Sequence, residues 1–321
     1  MKKSIIIAAV MASVFMAPSC SRTPQRAAAD DDFNYRVDRF ADIEVLRYKV
    51  PDFDSLSLNQ KILVYYLQEA ALWGRDILWD QNYRGNLAMR QLLEAVYGNY
   101  SGDKESADYK AFETYLKQVW FGNGIHHHYS TDKFVPAFSR EFLEAQIAAL
   151  PEGAAPAGTD ELVEVIFNPA LAAKRVNQAE GADLIATSAN NFYEEGLTQA
   201  EVEKYYASIK KPNDATPISY GLNTRLRKEN GKIVEDQYKV GGLYTEAIEH
   251  IVANLDSASA YAENPAQKQI IESLIDFYRT GDLATFDKYS IEWAEDTQSQ
   301  VDFINGFIES YGDPLGMTGS W

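Results

Sequence analysis

The chain has 321 residues, a formal net charge of −17, 46% hydrophobic and 12% aromatic residues, and one cysteine. This apolar content is typical of a folded protein, and the length allows one large core or two medium ones. Nucleic acid is not expected as a partner, because binding phosphates requires basic surface that an acidic chain does not favour. A single cysteine excludes intrachain disulfides, so stability has to come from packing.

Residues 1–19 have the pattern of an export signal peptide. Lys2 and Lys3 give a positive start, and residues 5–16 form an apolar stretch that is too short to span a bilayer. Small residues follow this stretch. The sequence therefore predicts an exported protein.

Cys20 stands where a bacterial lipoprotein signal places its lipid-modified residue. We predict acylation of Cys20, which would hold the protein at a periplasmic or outer-membrane surface without a spanning helix. Plain secretion is the alternative, since Ala17 and Pro18 depart from the usual lipoprotein pattern. The small and acidic residues 20–32 are predicted to form a flexible tether, with folded sequence from residue 33 onward.

Most of the chain from residue 33 to residue 321 has helical spacing. Partial alternation at residues 41–50 predicts an extended segment. A capping box of Ser57 and Gln60 opens a helix with one broad apolar face as far as Leu78, and Thr198 with Glu201 forms a second box. The other predicted helices span residues 87–97, 109–121, 140–150, 244–263 and 265–279.

One stretch departs from the helical pattern. Residues 218–226 and 233–238 flank an Asn230-Gly231 pair, and both of these residues tolerate positive φ. This arrangement predicts an antiparallel hairpin within residues 218–238. The predicted fold class is therefore α+β, predominantly α-helical, with a small antiparallel β-element.

The last predicted helix is capped by Asp282 and continues through apolar residues spaced three and four apart between positions 291 and 308. It is expected to place Glu309 and Tyr311 at its C-terminal end, where a Gly/Pro turn stops it. A carboxylate and a phenol at such a position are well placed to face a cleft.

The run Phe307-Ile308-Glu309-Ser310-Tyr311, followed by Asp313-Pro314, resembles the substrate-binding segment of the dipeptidyl-peptidase III family of zinc exopeptidases. Residues 73–82 and 120–129 resemble segments of its bacterial members. The resemblance implies a lobe with a small β-core surrounded by helices. It implies that Glu309 binds the α-ammonium group of a peptide and that Tyr311 donates a hydrogen bond to the oxyanion at the scissile carbonyl.

The resemblance also implies a Zn²⁺ cofactor whose ligands are not in this chain. In the family, zinc is held by a His-Glu-x-x-Gly-His helix and a following Glu-Glu-x-x-Ala helix, and neither motif occurs in the 321 residues. His126–His128 are not expected to replace them, because adjacent side chains point in different directions. We expect these histidines to line a cleft or to form buried hydrogen bonds, and His250 to be structural.

The sequence thus predicts residues 33–321 as the substrate-binding half of an exopeptidase that releases dipeptides from short peptides and is inactive without its zinc lobe. One alternative is a lipid-anchored protein that binds peptides or a protein partner without catalysis, and another is an acidic, helical structural lipoprotein. A reading frame that continues beyond Trp321 into the zinc motif would favour a truncated peptidase. Tetrapeptide binding would argue against the structural lipoprotein.

Overall fold

The computed structural model describes residues 33–321, so the predicted export signal, Cys20 and the tether lie outside the described residues. Within that range the chain is predominantly helical with two small antiparallel hairpins, which confirms the predicted α+β class. No helix in this range is both long and apolar enough to cross a membrane. The elements are β1 (Arg36–Phe40), β2 (Ile43–Leu46), α1 (Leu58–Trp73), α2 (Arg75–Asn82), α3 (Asn86–Asn99), α4 (Ala107–Gly122), α5 (Arg140–Ala148), α6 (Thr159–Phe167), α7 (Gln199–Ile209), β3 (Thr224–Glu229), β4 (Lys232–Gln237), α8 (Thr245–Ser259), α9 (Pro265–Thr280) and α10 (Leu283–Glu295).

Both predicted capping boxes are present. The Gln60 amide donates to Ser57 Oγ at 3.3 Å and the Ser57 amide donates to Gln60 Oε1 at 2.8 Å, and Thr198 with Glu201 forms the same reciprocal pair at the start of α7. These bonds satisfy amide groups that the first turn of a helix leaves unpaired. They account for helix starts that the sequence places correctly.

The first helix is shorter than its apolar pattern predicts. The chain ends α1 at Trp73 and begins α2 after Gly74, so the expected continuous face to Leu78 is divided between two helices. The indole of Trp321 occupies the space beside Gly74 where a Cβ atom would lie, at 1.7 Å from its ideal position. A contact from the far end of the chain therefore requires glycine here, and no local pattern reveals it.

Three buried clusters form the interior. One lies between α1, α8, α9 and α10, a second between α2, α3, α4, α5 and α6, and a third joins α7 to β3. Packing of α1 on α8 and of α9 on α8 and α10 holds the first cluster together. On the surface of this group, the exposed His250 of α8 stacks on Trp73 with ring centroids 3.8 Å apart, and its structural role stays a prediction.

The predicted hairpin is β3 and β4, joined by Asn230 with φ 51° and Gly231 with φ 77°. Positive φ at both positions is the geometry of a type I′ turn. The strands are shorter than residues 218–238. Leu226 of β3 also accepts a bond from Glu194 and donates one to Phe192, so the hairpin is anchored to a neighbouring extended segment.

The prediction of a long final helix is wrong. Asp282 caps α10 as expected, with its Oδ1 accepting from Ala284 N at 3.2 Å, but α10 ends at Glu295. The Asp296 carboxylate then accepts the amides of Gln298 and Ser299, which offers the backbone an alternative to helical bonds. From residue 296 to residue 321 the chain has no α-helix; Val301, Phe303, Phe307 and Trp321 pack on the first cluster, and Leu315 and Met317 pack on the third.

Candidate functional site

Glu309 and Tyr311 lie on a loop rather than at a helix end. Ser320 N donates to Glu309 O at 2.8 Å, and Ile308 N donates to Ser320 O at 3.1 Å. A short 3₁₀ turn, Ser310–Gly312, follows this antiparallel bridge. Both side chains are exposed, and Tyr311 has 74% of its surface accessible. The backbone is thus fixed while the carboxylate and the phenol face solvent.

Asp313 anchors the other side of this loop from inside the protein. Its carboxylate is 2% exposed and accepts bonds from the amides of Leu315, Met317 and Thr318 and from the Tyr193 hydroxyl, at 2.7–3.0 Å. Burial raises the pKa of Asp313, and these four donors oppose that shift by stabilising the ionised form. The carboxylate therefore closes the turn that carries Tyr311.

Tyr311 lines a cavity of about 810 Å³ together with residues 128–131 and 174–179. Gln178 connects residues 174–179 to the loop that carries Tyr311, since its Nε2 donates to Pro314 O at 2.9 Å. Glu309 is not among the lining residues of this cavity in the described chain. The structure thus brings Tyr311 to the cavity and leaves Glu309 two residues away. The roles of Glu309 and Tyr311 stay predictions.

Arg175 also lines this cavity, and the sequence analysis did not identify it as a site residue. Its Nη1 donates to Asn82 Oδ1 at 2.7 Å and its Nη2 to His128 O at 3.3 Å. Burial lowers its pKa, and the neighbouring Tyr311 opposes the shift. The adjacent pair Lys174-Arg175 in a chain of net charge −17 was the available signal.

The three consecutive histidines point to different surroundings. His126 is buried and donates from Nε2 to Ala172 O at 2.7 Å, whereas His127 accepts two backbone amides at Nδ1 and faces Asp42 with Nε2. His128 lines the cavity. Burial lowers the pKa of His128, and the charges of His127 and Arg175 lower it further. The predicted cleft-lining and hydrogen-bonding roles are confirmed.

These histidines do not fit a zinc site. The Nδ1 atom of His127 already accepts backbone amides, and the hydrogen bond of His126 is directed at a carbonyl, so their lone pairs do not converge. In residues 33–321, no group of three or more His, Cys, Asp or Glu side chains is arranged to hold a metal ion.

Acid is expected to destabilise the protein through His126. Burial lowers the pKa of His126 to about 4, and a proton on its buried Nδ1 would find no acceptor in the described residues. Below about pH 6.5 the unfolded chain binds a proton that the folded chain excludes. The contribution of His126 is therefore complete above pH 6.5 and is lost as the pH falls to about 4.

Denaturant unfolding at pH 7 and pH 4.5 tests this expectation. His126→Gln keeps a donor for Ala172 O but cannot titrate, so its free energy of unfolding should change less between the two pH values than that of the unaltered chain. The exposed His250 provides the control, since His250→Gln should leave the difference unchanged. Equal pH dependence in all three proteins would contradict the expectation.

Comparisons with known proteins identify related sequences and folds. The model of peptidase family M49 matches residues 187–321, a range that includes the Glu309–Asp313 loop. Dipeptidyl peptidase 3 of Rattus norvegicus is 32% identical over 320 residues, covering 84% of this chain and 42% of the rat protein. Dipeptidyl peptidase 3 of Dictyostelium discoideum is 24% identical over 300 residues, with 84% of this chain and 41% of the relative covered.

A solved structure agrees with these sequence matches. The structure of DPP III from Caldithrix abyssi matches 84% of this chain and 39% of that protein, with a TM-score of 0.55 and 18% identity, which supports a shared fold. The predicted resemblance is confirmed for most of this chain. The chain spans about two fifths of the length of these relatives.

Proposed function

We propose that this chain, a dipeptidyl-peptidase-like region similar to the M49 peptidases, binds the N-terminus of a short peptide at Glu309 and presents a peptide carbonyl to Tyr311. The observation that carries the proposal is the Glu309–Asp313 loop, which is anchored on both sides and leaves these two side chains exposed. Fixed loops that expose polar side chains beside a cavity are where proteins place binding residues.

The chemistry of the two side chains suits an exopeptidase. A carboxylate holds a free α-ammonium group through a charge-assisted hydrogen bond, and this contact sets the distance from the N-terminus at which a bond is cut. A phenol that donates to the developing oxyanion can lower the barrier by about 3 kcal/mol. Tyr311 lines the cavity and Glu309 lies two residues before it on the same loop, and the proposal assigns one role to each.

Hydrolysis is proposed for the peptidase of which this region would form a part. In the family, zinc activates the attacking water. The described residues do not provide its ligands, so the part proposed for this chain is to bind and orient the peptide. Short peptides are the proposed partners.

Binding of the free N-terminus is the test. We expect a tetrapeptide with a free amine to bind the 321-residue chain about tenfold more tightly than its N-acetylated form, and Glu309→Gln to remove most of this difference. Isothermal titration calorimetry measures both dissociation constants. Glu152→Gln, which removes the same charge from an exposed loop outside the cavity lining, is the matched control.

Glu152→Gln must retain the preference for the free amine. If the acetylated and free peptides bind equally to the unaltered chain, the N-terminus is not recognised and the proposed function is wrong.

A further inference from the structure

The cavity beside Tyr311 differs in charge from the rest of the chain. The whole sequence has 47 acidic and 30 basic residues. The described residues that line this cavity include Lys174 and Arg175 but no Asp or Glu. Asp132 pairs with Lys174 from outside this lining, so Arg175 is the lining cation without a described ion pair and the one that can attract an anion.

Arg175 is a partly desolvated cation whose described partners are neutral. The amide oxygen of Asn82 and the backbone oxygen of His128 accept from its two terminal nitrogens, and no carboxylate lies within ion-pair distance of Arg175 in the part of the chain that the structure describes. Neutral acceptors only partly offset the cost of taking a guanidinium group out of water. An anionic ligand would supply the missing compensation.

Lys174 differs from Arg175 in its exposure and pairing. Its Nζ lies 3.2 Å from Asp132 Oδ1, and both side chains are at least 40% exposed. Exposed ion pairs of this kind contribute little to stability, so Lys174 can exchange Asp132 for another anion at small cost. Arg175, held by Asn82, is the pre-organised member of the pair, and its planar fork suits a carboxylate.

We propose that the cavity formed around Arg175 and Tyr311 is a subsite for a carboxylate group of the bound peptide. The carboxylate comes either from the C-terminus of the peptide or from an acidic side chain. A volume of about 810 Å³ is sufficient for a few residues of peptide. This inference rests on the proposed function, since Tyr311 is the residue expected to receive the peptide at this cavity.

Calorimetric titration of the 321-residue chain with a matched series of tetrapeptides tests the subsite. The series has a free C-terminus with neutral side chains, an amidated C-terminus with neutral side chains, and an amidated C-terminus with one glutamate. We expect at least one carboxylate-bearing peptide to bind about tenfold more tightly than the neutral amide. The member of the series that gains affinity identifies the source of the carboxylate.

Variants of Arg175 connect this preference to the cavity. Arg175→Met should remove the tenfold preference without weakening the neutral amide, and Arg175→Lys should keep part of it. Arg140→Met is the matched control, because Arg140 lies on α5, pairs with Glu144 and Glu164, and does not line the cavity. A melting curve establishes that each variant is folded.

Two results would overturn the subsite. One is equal affinity of all three peptides for the unaltered chain, a comparison that needs no variant. The other is a carboxylate preference that survives in folded Arg175→Met. The proposed function is judged separately: a carboxylate preference without a free-amine preference contradicts the proposed function alone, and the reverse pattern contradicts this inference alone.

Discussion

Replacing Gly124 with alanine is expected to lower the free energy of unfolding by about 4 kcal/mol. Gly124 has φ +141°, a conformation that residues with a Cβ atom rarely adopt. Its added methyl group would also lie 2.1 Å from Asn86 Nδ2. Asn86 is fully buried and cannot move aside without losing its own hydrogen bonds.

Those hydrogen bonds join three parts of the second cluster. Asn86 donates to Trp79 O at 3.0 Å and accepts from Ile125 N at 3.2 Å, so it connects the end of α2 to the segment that begins the histidine run. Displacing its side chain would leave the Ile125 amide unpaired, at a cost of about 1–3 kcal/mol, and would leave Trp79 O with only its bond from Tyr83 N. The backbone strain at Gly124 adds to this cost.

Urea unfolding of Gly124→Ala against the unaltered chain measures the effect. Gly98→Ala is the matched control, since Gly98 is exposed near the end of α3 and a Cβ atom there would meet nothing within 4 Å. Alanine at this helical position should be neutral or stabilising by up to about 1 kcal/mol. Similar losses in the two variants would show that the Asn86 contact does not limit position 124.

The sequence predicted those local features whose interacting residues all lie within one short stretch of chain. The capping box of Ser57 and Gln60 and the Asn230-Gly231 turn are of this kind, because their hydrogen bonds and dihedral angles depend on residues within about four positions. For the same reason the class of fold followed from the periodicity. The need for glycine at position 74, where α1 gives way to α2, did not, since the contact there comes from Trp321.

The wrong prediction of a long final helix has a similar cause. Apolar residues between positions 296 and 308 recur at helix-like steps, but Val301, Phe303 and Phe307 pack on the first cluster from an irregular segment, while Ile304 and Ile308 are exposed. Two hydrogen bonds hold Val301 there. Its amide donates to Oε1 of Glu263, just before α9, and its carbonyl accepts from Nε2 of Gln267 in α9, both at 2.7 Å. These distant partners replace the helical bonds that the spacing favours.

The candidate site could be predicted only in part for the same physical reason. Glu309 and Tyr311 stood out through the resemblance and because they lie beside a Gly/Pro turn. Arg175 has no such local pattern, because its importance depends on Asn82, His128 and Tyr311 meeting in space. A cavity wall assembled from three distant stretches is a property of the tertiary structure.

Asp313→Ala is expected to destabilise the protein by about 3 kcal/mol and to weaken peptide binding at the same time. The substitution removes the acceptor of three backbone amides and of the Tyr193 hydroxyl; the bonds from Thr318 N and the Tyr193 hydroxyl are buried, and the other two are partly buried. Buried donors without partners are costly, although deleting a desolvated carboxylate recovers part of the cost. The turn after Tyr311 would lose the contacts that close it.

A graded pair of substitutions separates this mechanism from a general effect of removing an acidic residue. Asp313→Asn retains one oxygen and should cost about 1 kcal/mol, since one side of the group can still accept. Asp296→Ala removes a carboxylate that also accepts backbone amides, but the turn at Asp296 is solvent-accessible and water can replace it. Its expected cost is below about 1 kcal/mol.

Chemical unfolding and tetrapeptide titration, carried out on the same three variants, measure the two consequences together. If the Asp313 carboxylate fixes the loop, stability and affinity should fall in the order Asp313→Asn, then Asp313→Ala, with Asp296→Ala close to the unaltered chain. Affinity that stays constant while stability falls would show that Tyr311 and Glu309 do not depend on this anchor. In that case the position of the loop would have to come from the bridge between Glu309 and Ser320 alone.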